Sequence, residues 1–220
     1  PDCGARRVCE SRPGTPYDVP SRADCLACHD GRATPVLGFS ALQLSSDRDP
    51  LAPHREEPRE GDVDLEALVD RGLVSGLPAG LASRPPRIDA PTPTARAARG
   101  YLHGNCGACH AESTSLAPLG VLLEYRLAPG QDPADAVETT VGRPSSFRFG
   151  APAEQEVLRI APGAPEHSAL LRRMASRNPI AQMPPLGSRV ADAAGIALVE
   201  AWIREDLAPP PSIRATTLPH

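Results

Sequence analysis

The sequence predicts a mainly α-helical protein made of two segments, each built around one copy of the same pentapeptide, with a small β-containing insertion in the second segment. The pentapeptide Cys-x-x-Cys-His occurs at residues 25–29 and again at 106–110. Apolar residues recur at helical spacing before the second copy and near the C-terminus. Val, Thr, Phe and Tyr are concentrated between those helices, over 121–126 and 137–160, and this composition is typical of short strands.

Stretches rich in Pro and Gly divide the chain. We expect an N-terminal arm over residues 1–20 that lies as a loop on the surface, a first segment over 21–90 and a second domain over 91–220. In the first segment Ser21 is placed to cap the helix that carries the motif. Asp24 stands three residues later, as in a capping box.

The rest of the first segment is less regular. The apolar residues between Val36 and Leu44 predict a short helix or an irregular wall, and Asp62 is expected to begin a helix that ends near Arg71, before Gly72.

The second segment has clearer helix signals. Thr94 is expected to begin a helix that runs into Cys106, and Asp192 to begin the last helix. The apolar positions of that last helix, which recur at helical spacing beside Trp202, are Ile196, Val199, Ile203 and Leu207.

The motif has a chemical reason for its spacing. Two cysteines three residues apart on a helical turn lie on one face and can each form a thioether to the same porphyrin, and the next residue supplies an imidazole to the iron. The sequence therefore predicts two covalently bound haem c groups. The predicted thioether residues are Cys25, Cys28, Cys106 and Cys109, and the predicted iron ligands are His29 and His110.

Zinc is the main alternative, because paired Cys-x-x-Cys knuckles also bind it. A His follows both pairs directly, and 77 residues separate Cys28 from Cys106, far more than the usual gap between knuckles. A thioredoxin-like redox pair is disfavoured, since no βαβ pattern surrounds either motif.

Composition agrees with a cofactor-dependent core. The 220 residues include one Trp, three Tyr and three Phe, so large core side chains are scarce and a porphyrin would supply apolar surface. We expect the apoprotein to be largely unfolded. The net charge of −4 and the absence of a basic patch disfavour nucleic-acid binding.

Cys3 and Cys9 are left over by the two motifs. In a protein whose haem is attached outside the cytoplasm we expect them to form a disulfide, and two free thiols are the alternative. The sequence has neither a signal peptide nor an apolar run of membrane-spanning length. We therefore expect the mature or trimmed form of an exported, periplasmic or otherwise extracytoplasmic protein.

A six-coordinate iron needs a second axial ligand. Met183 lies in Gln-Met-Pro-Pro-Leu before the last helix, where the prolines stiffen the backbone, and we assign it to the second haem. For the first haem the sequence leaves several candidates open. They are Met174, His54, His103 and His167, of which Met174 is preferred.

These residues resemble a family of exported bacterial dihaem c-type cytochromes. The likeness covers most of residues 20–207. The residues that carry it are Pro20 to Cys25, Val36 to Phe39, Gln43, Leu44, Tyr101 to Cys106, Ile160 to Gly163, Ser168, Arg173, Met174, Met183 to Gly187, Trp202 and Ile203. The resemblance implies a cytochrome c-like fold, periplasmic electron transfer with redox partner proteins, and Met174 and Met183 as distal ligands.

The sequence is compatible with three functions. The first is an electron carrier, or an electron-entry subunit of a larger redox complex, which is not an enzyme. The second is a dihaem peroxidase-like enzyme with one open or displaceable iron position, for which His54, Glu56 and Glu57 would supply acid and base groups. The third is a structural, electron-conducting module of a multihaem assembly.

Overall fold

The structure is a computed structural model that describes residues 8–12, 15–18, 20–30, 36–78, 80–81, 84–127, 136–150 and 156–209. The described chain is mainly helical, as predicted. Its strands are β1 (Val8–Arg12) and β2 (Thr15–Asp18), and its α-helices are α1 (Arg22–His29), α2 (Leu65–Asp70), α3 (Pro93–Asn105), α4 (Ala136–Thr140), α5 (Ala169–Ala175) and α6 (Ala193–Ala201). Short 3₁₀ turns at Ala117–Leu119 and Pro165–His167 and a π-helical turn at Trp202–Asp206 complete the regular structure of these residues.

The predicted position of the strands is wrong. β1 and β2 form an antiparallel pair in the N-terminal arm, where a loop was expected. Among the described residues of the insertion, 121–127 have no regular structure, 136–140 form α4, and the strand pairing is limited to isolated bridges such as Val141 with Ile160. Thr140 at the end of α4 is buried, and its hydroxyl donates to the carbonyl of Ala136 one turn earlier.

Two of the predicted helix starts are confirmed and two are displaced. Ser21 and Asp192 are the N-caps of α1 and α6. The expected start at Asp62 is wrong, because Asp64 caps α2 and accepts a hydrogen bond from the backbone of Ala67.

The expected start of α3 at Thr94 is also wrong. Thr92 is the N-cap and accepts from the backbone of Ala95 at 2.9 Å. Pro93 then occupies the first helical position, where its fixed φ and missing N–H suit the helix.

The apolar core lies between α3, α5 and α6. Trp202, Leu102 and Ile203 are almost fully buried there and are among the largest side chains with no access to solvent. Gly195 lets α6 approach α3 closely, because a Cβ at this position would stand 2.2 Å from Cζ of Tyr101. The helix that precedes the second motif is therefore held directly against the last helix.

Polar contacts join the first segment to this core. Arg96 of α3 forms an ion pair with Asp49 at 2.6 Å, and both side chains are largely buried. The His54 ring contacts Asp192, the N-cap of α6, at 2.9 Å. The two segments thus share one interface along α3 and the start of α6.

Candidate functional site

The first motif lies on α1, and a capping box formed by Ser21 and Asp24 begins this helix. The Ser21 hydroxyl accepts from the backbone of Asp24 at 3.3 Å, and the Asp24 carboxylate accepts from the backbone of Ser21 at 2.9 Å. Hydrogen bonds from Ser21 lower the pKa of Asp24. This cap places Cys25 and Cys28 on successive turns of one short helix that ends at His29.

The second motif follows α3 as a series of tight turns. The backbone amides of Cys109 and His110 both donate to the carbonyl of Cys106, at 3.1 and 2.9 Å. Gly107 is required here, since a Cβ would lie 2.7 Å from the carbonyl oxygen of His103 and 2.9 Å from Cα of Glu124. The motif is therefore packed directly against the backbone of the following segment.

The His110 ring has one nitrogen that makes no hydrogen bond to the described protein. Its Nδ1 atom is buried and has no hydrogen-bond partner among the described residues. Burial lowers the pKa of His110, the positive charge of Arg173 lowers it further, and a hydrogen bond to the backbone of Val121 acts in the opposite direction. The imidazole is thus held neutral, the form that binds a metal.

The two motifs meet in space through their second cysteines. The Sγ atoms of Cys28 and Cys109 are 2.12 Å apart and form a disulfide, with a Cα to Cα distance of 5.0 Å. Cys25 is a free, exposed cysteine, and Cys106 is free and partly buried. Burial raises the pKa of the Cys106 thiol to about 12.

The four motif cysteines do not form a tetrahedral zinc site. In the part of the chain that the structure describes, no group of three or more His, Cys, Asp or Glu side chains is arranged to hold a metal ion. The zinc alternative therefore gains no support from the geometry.

Comparison with protein-family models, curated proteins and solved structures found no match for this chain. The function is therefore inferred from the residues of this chain alone. Among the described residues, no helix is both long enough and apolar enough to cross a membrane.

The two methionines occupy different surroundings. Met183 is partly buried in the loop before α6, and its backbone amide donates to the carbonyl of Arg173 at 2.9 Å. Because the charge of Arg173 also acts on His110, this bond places Met183 in the same part of the molecule as the second motif. Met174 is 7% exposed and packs in the core with α3 and α6.

The histidine candidates are engaged in other contacts. His54 contacts the Asp192 carboxylate, as described above. His103 accepts at Nδ1 from the backbone of Tyr125 at 3.0 Å, and its Nε2 lies 3.4 Å from the Ser40 hydroxyl. His167 is exposed, with its Nε2 3.7 Å from the carboxylate of Glu166.

The acid and base groups suggested for a peroxidase lie on the surface in ion pairs. Glu56 accepts from Arg59 and Glu57 from Arg55, each at 2.7 Å, and both carboxylates are mainly exposed. They are not gathered around either motif histidine by any described contact.

Neither Cys3 nor the side chain of Cys9 belongs to the described part of the structure, so the predicted Cys3–Cys9 disulfide lies outside it. Sequence reasoning missed a different pair, Cys28 and Cys109. Their separation of 81 residues gives no local signal. It also missed Arg173 beside His110, although Arg173 directly precedes Met174 on α5.

The residues fit covalently attached haem on two observations. The buried Nδ1 of His110 has no hydrogen-bond partner among the described residues, and a bound group would change its surroundings. After the first motif, Val36 and Phe39 are 59% and 57% exposed, and Leu26 within it is 47% exposed, so apolar surface there is available to a cofactor. One condition applies: a disulfide sulfur has no S–H to form a thioether, so the Cys28–Cys109 bond must open first.

Proposed function

We propose that this protein is a dihaem c-type cytochrome that transfers electrons in the periplasm, alone or as a subunit of an extracytoplasmic redox complex. The observation that carries the proposal is the duplicated Cys-x-x-Cys-His motif, in whose second copy the Nδ1 atom of His110 is buried without a hydrogen-bond partner among the described residues. Haem supplies one-electron chemistry, and the protein sets its potential through axial ligands, burial and nearby charge.

The chain holds each group through its own motif. In the first, Cys25 and Cys28 form the thioethers and His29 binds iron. In the second, Cys106 and Cys109 form the thioethers. His110 would supply an imidazole nitrogen to the iron there, with its backbone held by the tight turns around Gly107.

Met183 is the proposed distal ligand of the second haem. The bond from its backbone to Arg173 fixes the loop, and the partly exposed positive charge of Arg173, which acts on His110, favours the reduced, less positive iron.

Met174 remains the proposed distal ligand of the first haem. It would have to leave its packing in the core, whereas His54 and His103 would each have to give up a polar contact that joins the two segments. If Met174 leaves the core, its thioether loses only packing contacts. Because the sulfur is a weak hydrogen-bond acceptor, no polar group is left without a strong partner.

An electron carrier is favoured over a peroxidase because the suggested acid and base groups already have ionic partners. His54 is paired with Asp192, and Glu56 with Arg59. The third function, a conducting module of a multihaem assembly, would share the same cofactor chemistry and differ in assembly state.

A visible absorption spectrum of the exported, purified protein with and without cyanide tests the proposal. Two six-coordinate low-spin irons that bind cyanide weakly are expected for a carrier. A five-coordinate high-spin iron that binds cyanide readily would instead indicate the enzyme. A native mass well above that of one chain would favour the assembly module.

A further inference from the structure

A single disulfide connects the two haem-attachment motifs. It takes the second cysteine of each, Cys28 and Cys109, and leaves the first cysteine of each, Cys25 and Cys106, as free thiols. The Cα atoms are 5.0 Å apart, within the range that disulfides span without backbone movement. One bond therefore removes one thiol from both attachment sites at once.

We propose that Cys28–Cys109 is a reversible lock on the cofactor-free protein, which a dithiol reductant must open before either haem can be fully attached. This inference rests on the proposed function. In the opening step the dithiol gives two protons and two electrons to the disulfide, so that Cys28 and Cys109 become thiols and the reductant becomes a cyclic disulfide. Each thiol then adds its S and H across one vinyl double bond, with no further oxidant or reductant.

The lock couples the two sites. In the closed state each motif has only one S–H, so each can make one thioether and not two. Opening the bond restores all four thiols together. The second attachment at both motifs thus becomes possible in one event.

The same bond positions α1. None of the described side chains of α1 is buried, and Cys28 is one of its partly exposed residues. Apolar packing of these described side chains therefore contributes little to holding the helix against the second segment, and the covalent link to Cys109 ties it there. Opening it frees α1 to move as the cofactor enters.

A reductant can reach the bond. Cys28 and Cys109 are both partly exposed rather than buried. Cys25, in the same helix, is exposed as well. The lock is thus at the surface, where a dithiol can attack it.

The first experiment uses the full-length, air-oxidised apoprotein and needs no haem. Free thiols are alkylated without reduction, and the protein is digested and mapped by mass. We expect a cross-linked peptide pair that contains Cys28 and Cys109, with Cys25 and Cys106 alkylated. Bonds within each motif, or alkylation of all four cysteines, would overturn the lock.

The second experiment adds ferrous haem, freed of its own reductant, to apoprotein that is either oxidised or pretreated with dithiothreitol. The mass gives the haem bound per chain. The α-band of the pyridine adduct reports how many vinyl groups have been consumed. We expect four per chain after reduction, and at most two without it.

Four single variants make the test specific. Without reductant, Cys28→Ser should let the second motif consume both vinyl groups of its haem, and Cys109→Ser should do the same for the first. The matched controls Cys25→Ser and Cys106→Ser leave the disulfide in place, so the intact motif should stay at one thioether until reduced. Equal loading of oxidised and reduced wild-type protein would overturn the proposal.

The outcomes separate the lock from the function. If no cross-link is found but reduced protein attaches two haems, the lock is wrong and the proposed function stands. If the cross-link is found but reduced protein attaches no haem, the proposed function is wrong, and the disulfide then cannot control haem attachment.

Discussion

Gly195 in α6 is the position where one added methyl group should most clearly disturb the helix crossing that supports the second motif. An Ala Cβ there would lie 2.2 to 2.4 Å from three atoms of the Tyr101 side chain, far inside van der Waals contact. The ring cannot swing away freely, because its hydroxyl donates to Asp192 at 3.0 Å. Moving it would also disturb the cap of α6.

The expected net cost of Gly195→Ala is about 2 kcal/mol. Overpacking typically costs ~1–3 kcal/mol, and a lost hydrogen bond adds about 1 kcal/mol. The better helix propensity of Ala recovers roughly 1 kcal/mol. For a protein of this size the loss corresponds to a fall in Tm of about 4–8 °C.

Denaturant unfolding of wild type, Gly195→Ala and Gly104→Ala measures this effect. Gly104 is the matched control, because it also lies in a helix but an added Cβ would meet nothing within 4 Å. Gly104→Ala should therefore stabilise the protein by up to ~1 kcal/mol. In a double-mutant cycle, Tyr101→Ala should remove most of the cost of Gly195→Ala. A Gly195→Ala protein as stable as Gly104→Ala would refute the close approach of α3 and α6.

Three further perturbations test other parts of the structure. Burial raises the pKa of Asp192, but hydrogen bonds from Gly195, His54 and Tyr101 lower it more. The ionised carboxylate therefore stabilises the fold above the usual Asp pKa, and this stabilisation is lost as pH falls through the folded pKa. Asp192→Asn should cost about 1 kcal/mol at pH 7, and a stability deficit that does not shrink below pH ~4 in acid titrations would contradict this. Cys109→Ser removes a crosslink between residues 81 apart, so the unreduced, denatured apoprotein should be less compact than oxidised wild type and should migrate more slowly in non-reducing denaturing electrophoresis; equal migration of the two proteins would show that the disulfide does not form. Met183→His should lower one of two waves in a redox titration, because imidazole favours ferric iron more than a thioether does, whereas Met174→Ala should change the other wave; if Met174→Ala leaves both waves intact, Met174 is a packing residue.

Local signals were sufficient for several elements. Ser21 with Asp24, and Asp192 before an apolar repeat, identified the starts of α1 and α6 because a cap depends on only a few neighbouring residues. The error at Thr94 was avoidable, since Pro93 favours the first helical position and makes Thr92 the cap.

Other features depended on contacts that no local pattern contains. Residues 137–160 have strand-like composition, yet Ala136–Thr140 form a helix, and isolated bridges are the only strand pairing in the described part of the range that follows, because composition does not specify pairing partners. The motifs predicted the cofactor chemistry, but Cys28 and Cys109 are 81 residues apart, and no local pattern specifies that they meet. The contacts of His54 and His103 across the two segments are long-range in the same way.

The most direct test of the central claim is the mass of the denatured protein after production in a host that exports it and attaches haem. Covalent haem survives denaturation, whereas zinc and non-covalent ligands are lost. We expect two haems per chain, reduced to one when Cys25 and Cys28, or Cys106 and Cys109, are both replaced by Ser. A mass equal to that of the bare chain, with the motif cysteines unmodified, would contradict the account.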